Sequence, residues 1–398
     1  MSVYLDHAAT TPMLPAAREA FTDQLAITGN ASALHTPGRA ARRVVEEARE
    51  RIAAALGAQP SEVIFTSGGT ESDNLAIKGT YAARSDPARP GPDPARRRVV
   101  ISGVEHHAVL DPVEFLVSTG AWASFAEPDA QGVITPDALL AALGDDPSDV
   151  AVVSILWANN EIGTISPIAE LAAIAREHGI PMHSDGVQAV GHLPVDFAAS
   201  GLDLLSLTGH KLGGPLGVGA LLARRDAQLV PQLHGGGQER QVRSGTLDVP
   251  AIHALAAAVE AAVTGLEDEM ARQIALRDSL IDQILGLGLG LVLTGAWTRG
   301  SAADRLPGNV HFRVPGADGD SLLYLLDAAG IACATGSACT AGVPRASHVV
   351  LALGVPEQDA RGSIRMTLGH SSTGTDVAAA VAALPGAVER ARRARGAA

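Results

Sequence analysis

Cysteine is scarce in this chain of 398 residues, which has only Cys333 and Cys339. Two cysteines six positions apart cannot stabilise a chain of this size through disulfide bonds, and no cluster of metal ligands surrounds them. The sequence therefore predicts neither a disulfide framework nor a metal site, and the reducing cytoplasm is the expected location. The N-terminal residues 1–7 lack the basic region and apolar core of a signal peptide, which agrees with that expectation.

Long apolar runs and extended basic segments are also missing. No uninterrupted apolar run approaches the roughly 20 residues of a membrane span, so no membrane contact is expected. The formal net charge of −13 at pH 7 argues against a nucleic-acid partner. The composition, 46% hydrophobic and rich in alanine and glycine, is that of a globular chain long enough for two packed domains.

Short apolar runs alternate with helical patterns between about residues 60 and 225. The runs typical of strands are 63–65, 99–101, 150–157, 180–183, 202–207 and 218–222, and the helical patterns include 38–56 and 168–178. This alternation predicts an α/β fold with parallel strands and helices on both faces.

One long helical pattern covers 251–285, and the region after it no longer shows the regular strand–helix alternation. It has strand patterns at 309–314 and 364–368 and helical patterns at 321–329 and 376–384. We expect a large domain over 16–260 and a smaller α+β domain made of 1–15 and 261–398.

The most informative segment is 204–211, an apolar run that stops at polar residues and delivers Lys211 to the end of a predicted strand. Asp185 follows another such strand. Because open parallel sheets gather functional groups at the carboxyl ends of their strands, these two side chains should be neighbours. Pyridoxal phosphate needs such a pair, a lysine for its Schiff base and a carboxylate facing its pyridine nitrogen. Taken alone, the tripeptide 209–211 is more often a solvated turn.

A turn with adjacent glycines, 67–72, lies between a predicted strand and a predicted helix. Adjacent glycines let the backbone approach a ligand, and the free N–H groups of a helix start favour an anion. The turn lacks the lysine of a P-loop and the spacing of a dinucleotide fingerprint, so nucleotides are disfavoured. Such a turn is usually only a turn, but beside Lys211 and Asp185 it becomes a candidate phosphate cup.

Other polar side chains follow the predicted strands. His106 could stack on an aromatic cofactor and move protons near neutral pH, or face water at a helix start. Asn160 offers an amide donor to a phenolate or carboxylate, and Gln188 lies close to Asp185 in the chain. Arg365 lies in an alternating strand, where it could grip a substrate carboxylate or form a structural ion pair.

The two cysteines have different surroundings. Cys339 sits among the small residues of 334–342, which is typical of an accessible loop rather than of a packed thiol. Cys333 follows the segment 330–332 and is expected to be buried and inert.

Taken together, these residues resemble the cysteine desulfurases, pyridoxal-phosphate enzymes of the class V aminotransferase group, in the branch typified by NifS and IscS. The matching motifs are 4–12 (YLDHAATTP), 29–32 (GNAS), 66–74 (TSGGTESDN), 105–106 (EH), 159–163 (NNEIG), 183–185 (HSD), 209–211 (GHK), 235–240 (GGGQER), 243–246 (RSGT) and 336–339 (GSAC). So many motifs in one order make a chance match implausible.

This resemblance implies a fold and a reaction. The fold is type I of the pyridoxal-phosphate transferases, with a mostly parallel sheet of the seven-stranded type flanked by helices, plus a smaller α+β domain. The reaction converts L-cysteine to L-alanine and leaves the sulfur as a persulfide on an enzyme cysteine. A homodimer is implied, as is a sulfur-acceptor protein, a scaffold for iron–sulfur clusters or a tRNA-thiolation enzyme.

The resemblance also implies residue roles. Lys211 matches the Schiff-base lysine, Asp185 the partner of the ring nitrogen, His106 the stacking acid/base and Cys339 the persulfide carrier. The residues implied to hold the cofactor are Gly69, Thr70, His106, Asn160, Asp185, Gln188, Thr208, His210, Lys211 and, from the other subunit of a dimer, Thr246. Arg365 and Asn160 match the pair that binds the substrate carboxylate.

Two alternatives remain at this stage. An ordinary class V aminotransferase or a cysteine β-lyase would use Lys211 and Asp185 but not Cys339. A non-catalytic scaffold that binds the cofactor would need none of these residues for turnover, and the intact set of Lys211, Asp185, His106 and Cys339 speaks against it.

Overall fold

The computed structural model describes residues 3–85, 93, 95–336 and 346–396. Its strands are β1 Val3–Tyr4, β2 Val63–Thr66, β3 Arg98–Ser102, β4 Trp122–Ala126, β5 Val150–Ser154, β6 Met182–Asp185, β7 Leu204–Thr208, β8 Gly219–Ala223, β9 Val292–Leu293, β10 Asn309–Arg313, β11 Ile331–Ala332 and β12 Ser363–Thr367. Its helices are α1 Pro15–Leu25, α2 Thr36–Ala55, α3 Gly69–Ser85, α4 His107–Ser118, α5 Pro136–Leu143, α6 Ile168–Glu177, α7 Phe197–Ser200, α8 Val249–Thr264, α9 Leu266–Gly286, α10 Gly319–Ala328, α11 His348–Ala352, α12 Glu357–Ala360 and α13 Gly374–Gly396.

A seven-stranded sheet forms the centre of the larger part, in the order β2-β8-β7-β6-β5-β3-β4. Strands β7, β6, β5, β3 and β4 pair in parallel, and their apolar runs are buried because helices cover both faces. The expected mostly parallel sheet is therefore confirmed.

The orientation of β8 differs from the expectation of parallel strands, because β8 pairs antiparallel with both β2 and β7. Only the 3-10 turn Gly209–Lys211 and a glycine-rich stretch connect β7 to β8. A parallel crossover needs about a dozen residues or more, usually with a helix, so this short connection returns the chain antiparallel. As a consequence β2 runs in the same direction as β7, and its carboxyl end lies at the same edge of the sheet.

The predicted long helix over 251–285 is wrong: it is two helices, α8 and α9, which meet at Gly265 with a bend of 71°. Glycine weakens helix continuation, and the acidic residues Glu267, Asp268 and Glu269 favour a new helix start. Among the described residues no single helix is long and apolar enough to cross a membrane; the bent α8–α9 pair meets that criterion by length and composition alone.

A second hydrophobic core lies in the C-terminal part. The antiparallel sheet β12-β10-β9 and the parallel pair β1-β11 pack there against α9, α10 and α13. Leu5, from the N-terminal segment, is fully buried in this core together with Val310 and Phe312. The N-terminal segment therefore packs with the C-terminal part, while the division at residues 16 and 261 stays a prediction.

Candidate active site

A cavity of about 460 Å³ lies where β2, β5, β6 and β7 end. Ten residues predicted for the site line it: Gly69, Thr70, His106, Asn160, Asp185, Gln188, Thr208, His210, Lys211 and Arg365. The seven-stranded sheet brings most of these residues together because its parallel strands end at one edge, whereas Arg365 comes from β12.

Lys211 lies in the 3-10 turn directly after β7, partly buried in the cavity wall. Its Nζ donates hydrogen bonds to the carbonyl oxygens of Ala8 (2.5 Å) and Ala9 (2.7 Å). Burial and the nearby charge of Arg365 lower the pKa of Lys211 to about 8. A lysine with a lowered pKa, without a carboxylate bonded to it, is suited to nucleophilic chemistry.

Asp185 is the last residue of β6 and is almost completely buried. Its Oδ1 accepts a hydrogen bond from the backbone N–H of Val187 at 2.9 Å. Burial, together with the neighbouring carboxyl of Asp73, raises the pKa of Asp185 to about 7. A positively charged ring nitrogen in the cavity would stabilise the ionised form of this carboxyl.

The Gly68-Gly69 turn joins β2 to α3. Gly68 has φ +148°, which favours glycine, and a Cβ on Gly69 would lie 2.7 Å from Cγ2 of Val187. Gly69 and Thr70, the first two residues of α3, line the cavity. Thr208 and His210 lie on the opposite side of the turn, at the end of β7.

His106 precedes α4 and caps it, because its Nδ1 accepts a hydrogen bond from the N–H of Ala108 at 3.1 Å. This bond leaves the ring proton on Nε2. Desolvation by the surrounding protein and the charge of Lys211 lower the pKa of His106 to about 4. The ring is therefore neutral at physiological pH.

Arg365 reaches the cavity from β12, on the side of the second core. Its guanidinium donates to Asp6 Oδ1 at 2.7 Å and to the carbonyl oxygen of Asn160 at 2.8 Å. Its buried Nε has no hydrogen-bond partner in the part of the chain that the structure describes. Arg365 thus forms the structural ion pair that was one of the two interpretations drawn from the sequence, and the grip on a substrate carboxylate stays a prediction. Gln188 is held nearby by a bond from its Nε2 to Ala8 O, at 3.0 Å.

Three predicted residues stand apart from this group. Thr246 is exposed and does not line the cavity. Cys339 lies outside the described residues, although Gly336, three positions before it, lines the cavity. Cys333 is buried in the second core, as predicted, and burial and the nearby Asp6 raise the pKa of its thiol to about 12.

Sequence reasoning missed several contributors. Asp6 orients Arg365, the carbonyls of Ala8 and Ala9 hold Lys211, and Asp73 shares the cavity with Asp185. Asp6, Ala8 and Ala9 belong to the motif at 4–12, which was the available signal. Asp73 stands in the first turns of a helix, where an aspartate usually serves the helix start, so its pattern gave no distinguishing signal.

Comparison with known proteins agrees with this architecture. The family model for the class-V aminotransferases matches residues 3–379. An IscS-like cysteine desulfurase of Mycobacterium tuberculosis is 57% identical over 98% of this chain and 97% of its own length. A cysteine desulfurase IscS of Dictyoglomus turgidum is 43% identical over 94% of this chain and 91% of its own.

Solved structures agree as well. A NifS-like protein from Rickettsia africae superposes with a TM-score of 0.85 at 30% identity, covering 98% of this chain and all of that one. SspA in complex with cysteine superposes with a TM-score of 0.78 at 31% identity, covering 94% of this chain and all of that one. The resemblance drawn from the motifs is confirmed: the chain belongs to the class-V aminotransferase family, in its cysteine desulfurase branch.

Proposed function

We propose that the protein uses pyridoxal phosphate to convert L-cysteine to L-alanine and transfers the sulfur to Cys339. The observation that carries this proposal is the juxtaposition of Lys211 and Asp185 at neighbouring strand ends, in one cavity with the Gly68-Gly69 turn. An amine, a carboxylate and an anion cradle are the three groups that this cofactor requires.

The cavity fits the cofactor in size and in chemistry. A volume of about 460 Å³ falls within the usual range of small-molecule sites, roughly 300–1,000 Å³. A Cβ on Gly69 would lie 2.7 Å from Val187 Cγ2, which favours glycine here, and Gly69 lines the cavity at the start of α3, where backbone N–H groups favour a phosphate. We assign the phosphate to this turn with Thr70, Thr208 and His210, and the ring nitrogen to Asp185.

Lys211 would hold the cofactor covalently and move protons at the substrate. When bound, pyridoxal phosphate supplies an electron sink for the charge left by removal of the amino acid's α-proton. With a pKa of about 8, roughly a tenth of the Lys211 amines are neutral at pH 7 and able to act as nucleophile or base. His106 offers a flat neutral ring that can stack over the cofactor and donate a hydrogen bond from its Nε2–H.

The substrate carboxylate is assigned to Arg365 and Asn160. Arg365 lines the cavity, and Asp6 with the Asn160 carbonyl fixes its guanidinium there. Charge-assisted hydrogen bonds of this kind orient an amino acid strongly.

Sulfur transfer is assigned to Cys339. Its thiolate would bond to the substrate sulfur while the bond from that sulfur to the β-carbon breaks, and the β-carbon gains a proton. Cysteine and one enzyme thiol thus become alanine and one persulfide, with no external oxidant. Gly336 in the cavity wall supports this assignment, since Cys339 follows it by three positions.

The remaining parts of the proposal concern location and partners. We propose a homodimer in which Thr246 completes the phosphate site of the other subunit, which agrees with its exposure here. The sulfur would pass to an acceptor protein, an iron–sulfur scaffold or a tRNA-thiolation enzyme. The scarcity of cysteine supports the cytoplasm as the compartment.

Borohydride trapping tests the proposed function. The chain has two lysines, Lys78 and Lys211, so reduction of the yellow cofactor-loaded protein should fix the cofactor on the Lys211 peptide. Lys211→Ala should lose the covalent attachment and reduce turnover by about 10³-fold or more. Lys78→Ala, the matched control, should keep both. Cofactor covalently fixed in Lys211→Ala would contradict the assignment.

A further inference from the structure

Glu71 is a carboxylate close to the proposed phosphate position that takes no part in the proposed chemistry. It lies in the first turn of α3, two positions after Gly69. Its Oε2 accepts a hydrogen bond from the backbone N–H of Ser67 at 2.7 Å. Because Ser67 precedes the Gly68-Gly69 turn, this bond spans the connection from β2 to α3. Glu71 therefore helps to fix the backbone to which we assign the phosphate.

Arg243 binds the same carboxylate from a distant part of the chain. Its Nε donates to Glu71 Oε1 at 2.8 Å, and its Nη2 donates to Oε2 at 3.3 Å. The two side chains are largely buried, with 15% of Arg243 and 17% of Glu71 exposed. Burial alone would raise the pKa of Glu71, but the bonds from Arg243 and Ser67 outweigh it and lower that pKa. The pair is therefore ionised at neutral pH, and its two bonds fix the orientation of both groups.

The segment that carries Arg243, residues 237–246, is fixed to β2 by a second carboxylate. Glu239 is 1% exposed, and its two oxygens accept bonds from Arg49 at 2.7 and 2.8 Å. Its Oε2 also accepts the N–H of Phe65, on β2, at 2.9 Å. Within the segment the N–H of Glu239 donates to the carbonyl of Arg243 at 2.9 Å, and the N–H of Arg243 donates back at 3.1 Å. Glu239 and Arg243 therefore keep the segment in one position relative to β2.

Thr246 lies at the end of this segment, three positions after Arg243, and is exposed. The N–H of Gly245, directly before it, donates to Gln238 Oε1 at 2.8 Å, which ties Thr246 back to the rest of the segment. In the proposed homodimer Thr246 contacts the phosphate held by the other subunit. Only three positions thus separate a residue bonded beside one phosphate turn from the residue that completes the other site.

From these contacts we infer that Glu71 and Arg243 act as one positioning unit, which joins the phosphate turn of one active site to the Thr246 segment that completes the other. The inference rests on the proposed function, because it needs both pyridoxal phosphate and the homodimer. Arg243 also offsets a repulsion within its own subunit. Without it, the Glu71 anion would stand unpaired in the helix turn where the phosphate binds, and like charges repel each other.

Binding of pyridoxal phosphate and of pyridoxal, which lacks the phosphate, tests the inference on the full-length protein. Arg243→Gln should weaken binding of pyridoxal phosphate by about 10-fold, because it removes a charge-assisted bond and leaves Glu71 unpaired. Glu71→Gln leaves no anion and should weaken it by about 3-fold. The double variant should resemble Glu71→Gln, so the second substitution restores part of the affinity. The affinity for pyridoxal should be unchanged in all three variants.

The ion pair of Arg98 and Asp149 is a matched control at the amino end of β3, away from the cavity. Arg98 Nε donates to Asp149 Oδ1 at 2.9 Å, and both side chains are mostly buried. Asp149→Asn should lower the thermal stability and leave both affinities unchanged. If Arg243→Gln folds poorly, Arg243→Lys keeps the charge without the two-bond geometry and should give a smaller loss that is again specific for the phosphate.

Mixed dimers separate the contributions of the two subunits. When one chain carries Lys211→Ala, only the site of the other chain can bind the cofactor covalently. Arg243→Gln on the Lys211→Ala chain then disturbs the Thr246 segment offered to that site, whereas Arg243→Gln on the other chain disturbs its own phosphate turn. The affinity for pyridoxal phosphate, measured from the absorbance of the bound cofactor, should fall by about 3-fold in each arrangement.

The outcomes distinguish the inference from the proposed function. An equal loss of affinity for pyridoxal phosphate and pyridoxal in Arg243→Gln would show a general structural effect and overturn the inference. A loss confined to one of the two mixed dimers would overturn it as well, and in both cases the proposed function would stand. A wild type that binds neither compound at Lys211, or that is a stable and fully active monomer, would refute the proposed function and the inference with it.

Discussion

Two of the regions that hold buried charged side chains differ in their hydrogen bonding: the cavity and the second core. Among the described residues of the cavity, the carboxylate of Asp73 has no basic partner within hydrogen-bonding geometry, Arg365 has an unpaired Nε, and Lys211 bonds to carbonyls. In the second core, Arg277 is fully buried but bonds to Asp278 at 2.9 Å and to the Ser301 carbonyl at 2.9 Å.

The partners of Asp278 complete the second cluster. Trp297 Nε1 donates to Asp278 Oδ1 at 2.9 Å, and the N–H of Gly300 donates to Oδ2 at 2.6 Å. Every hydrogen-bonding atom of that carboxyl is therefore engaged within the fold. The comparison teaches that a satisfied buried charge supports the structure, whereas unsatisfied ones gathered at strand ends indicate a site for a ligand.

The two cysteines give the sharpest test of this contrast and the largest expected effect. Cys339→Ala should still bind the cofactor and L-cysteine and change its absorbance spectrum, but alanine formation should fall by about 10³-fold or more, because the sulfur acceptor is missing. Cys333→Ala should turn over nearly as the wild type and lose about 1 kcal/mol of stability, because its thiol is packed in the second core. Steady-state alanine release and urea unfolding separate the two outcomes; equal turnover of Cys339→Ala and wild type would exclude the sulfur-transfer role.

Substitutions in the Arg277–Asp278 cluster of the second core should lower stability and leave activity unchanged. Asp278→Asn leaves Arg277 buried without its anion, so the free energy of unfolding should fall by about 3–5 kcal/mol. Cofactor absorbance and kcat of the folded fraction should remain as in the wild type. Loss of activity without loss of stability would break the proposed distinction between the two regions.

Arg365 belongs to the cavity set and should affect substrate binding more than stability. Arg365→Gln removes the charged donor, and kcat/KM for cysteine should fall by about 10- to 100-fold, which corresponds to about 1.5–3 kcal/mol for a charged hydrogen bond. The effect should fall mainly on KM, with the cofactor retained. Arg361→Gln, on the exposed side of the same segment, serves as the control and should change neither constant.

The expected effect of Thr246 is the smallest. Thr246→Ala should weaken cofactor binding by about 10-fold, the value of one hydrogen bond to the charged phosphate at about 1.5 kcal/mol. A mixed dimer of Lys211→Ala and Thr246→Ala subunits should contain one complete site, because each chain supplies Thr246 to the other. Full activity in a monomer, measured by sedimentation, would contradict the shared site.

Much of this architecture could be predicted from the sequence, for identifiable reasons. The apolar runs before Asp185 and Lys211 are local signals, and the parallel sheet then places their ends together. The bend at Gly265 was missed although its local signals were present, a glycine followed by the acidic residues Glu267, Asp268 and Glu269 that favour a new helix start. The edge strand β4 was not predicted, since its residues are largely exposed or half-buried and do not form an apolar run.

Prediction of the site failed where a side chain's role depends on what surrounds it in space. Asp73 has the sequence context of an ordinary residue in the first turns of a helix, and only the folded packing shows that both of its oxygens are buried and unpartnered. Asp6 was visible within a motif, but its bond to Arg365 joins the two ends of the chain. Such long-range pairs leave no periodic signal.

The central claim is that the cavity removes sulfur from cysteine and passes it to Cys339. The most direct measurement incubates the cofactor-loaded wild type with L-cysteine in the absence of a reductant and quantifies every product. The account predicts one alanine for each sulfur atom added, with the added mass on the Cys339 peptide. Pyruvate with ammonia and sulfide would indicate a β-lyase, and a keto acid that retains the thiol would indicate an aminotransferase. Either set of products, together with an unmodified Cys339, would contradict the claim that the sulfur passes to Cys339.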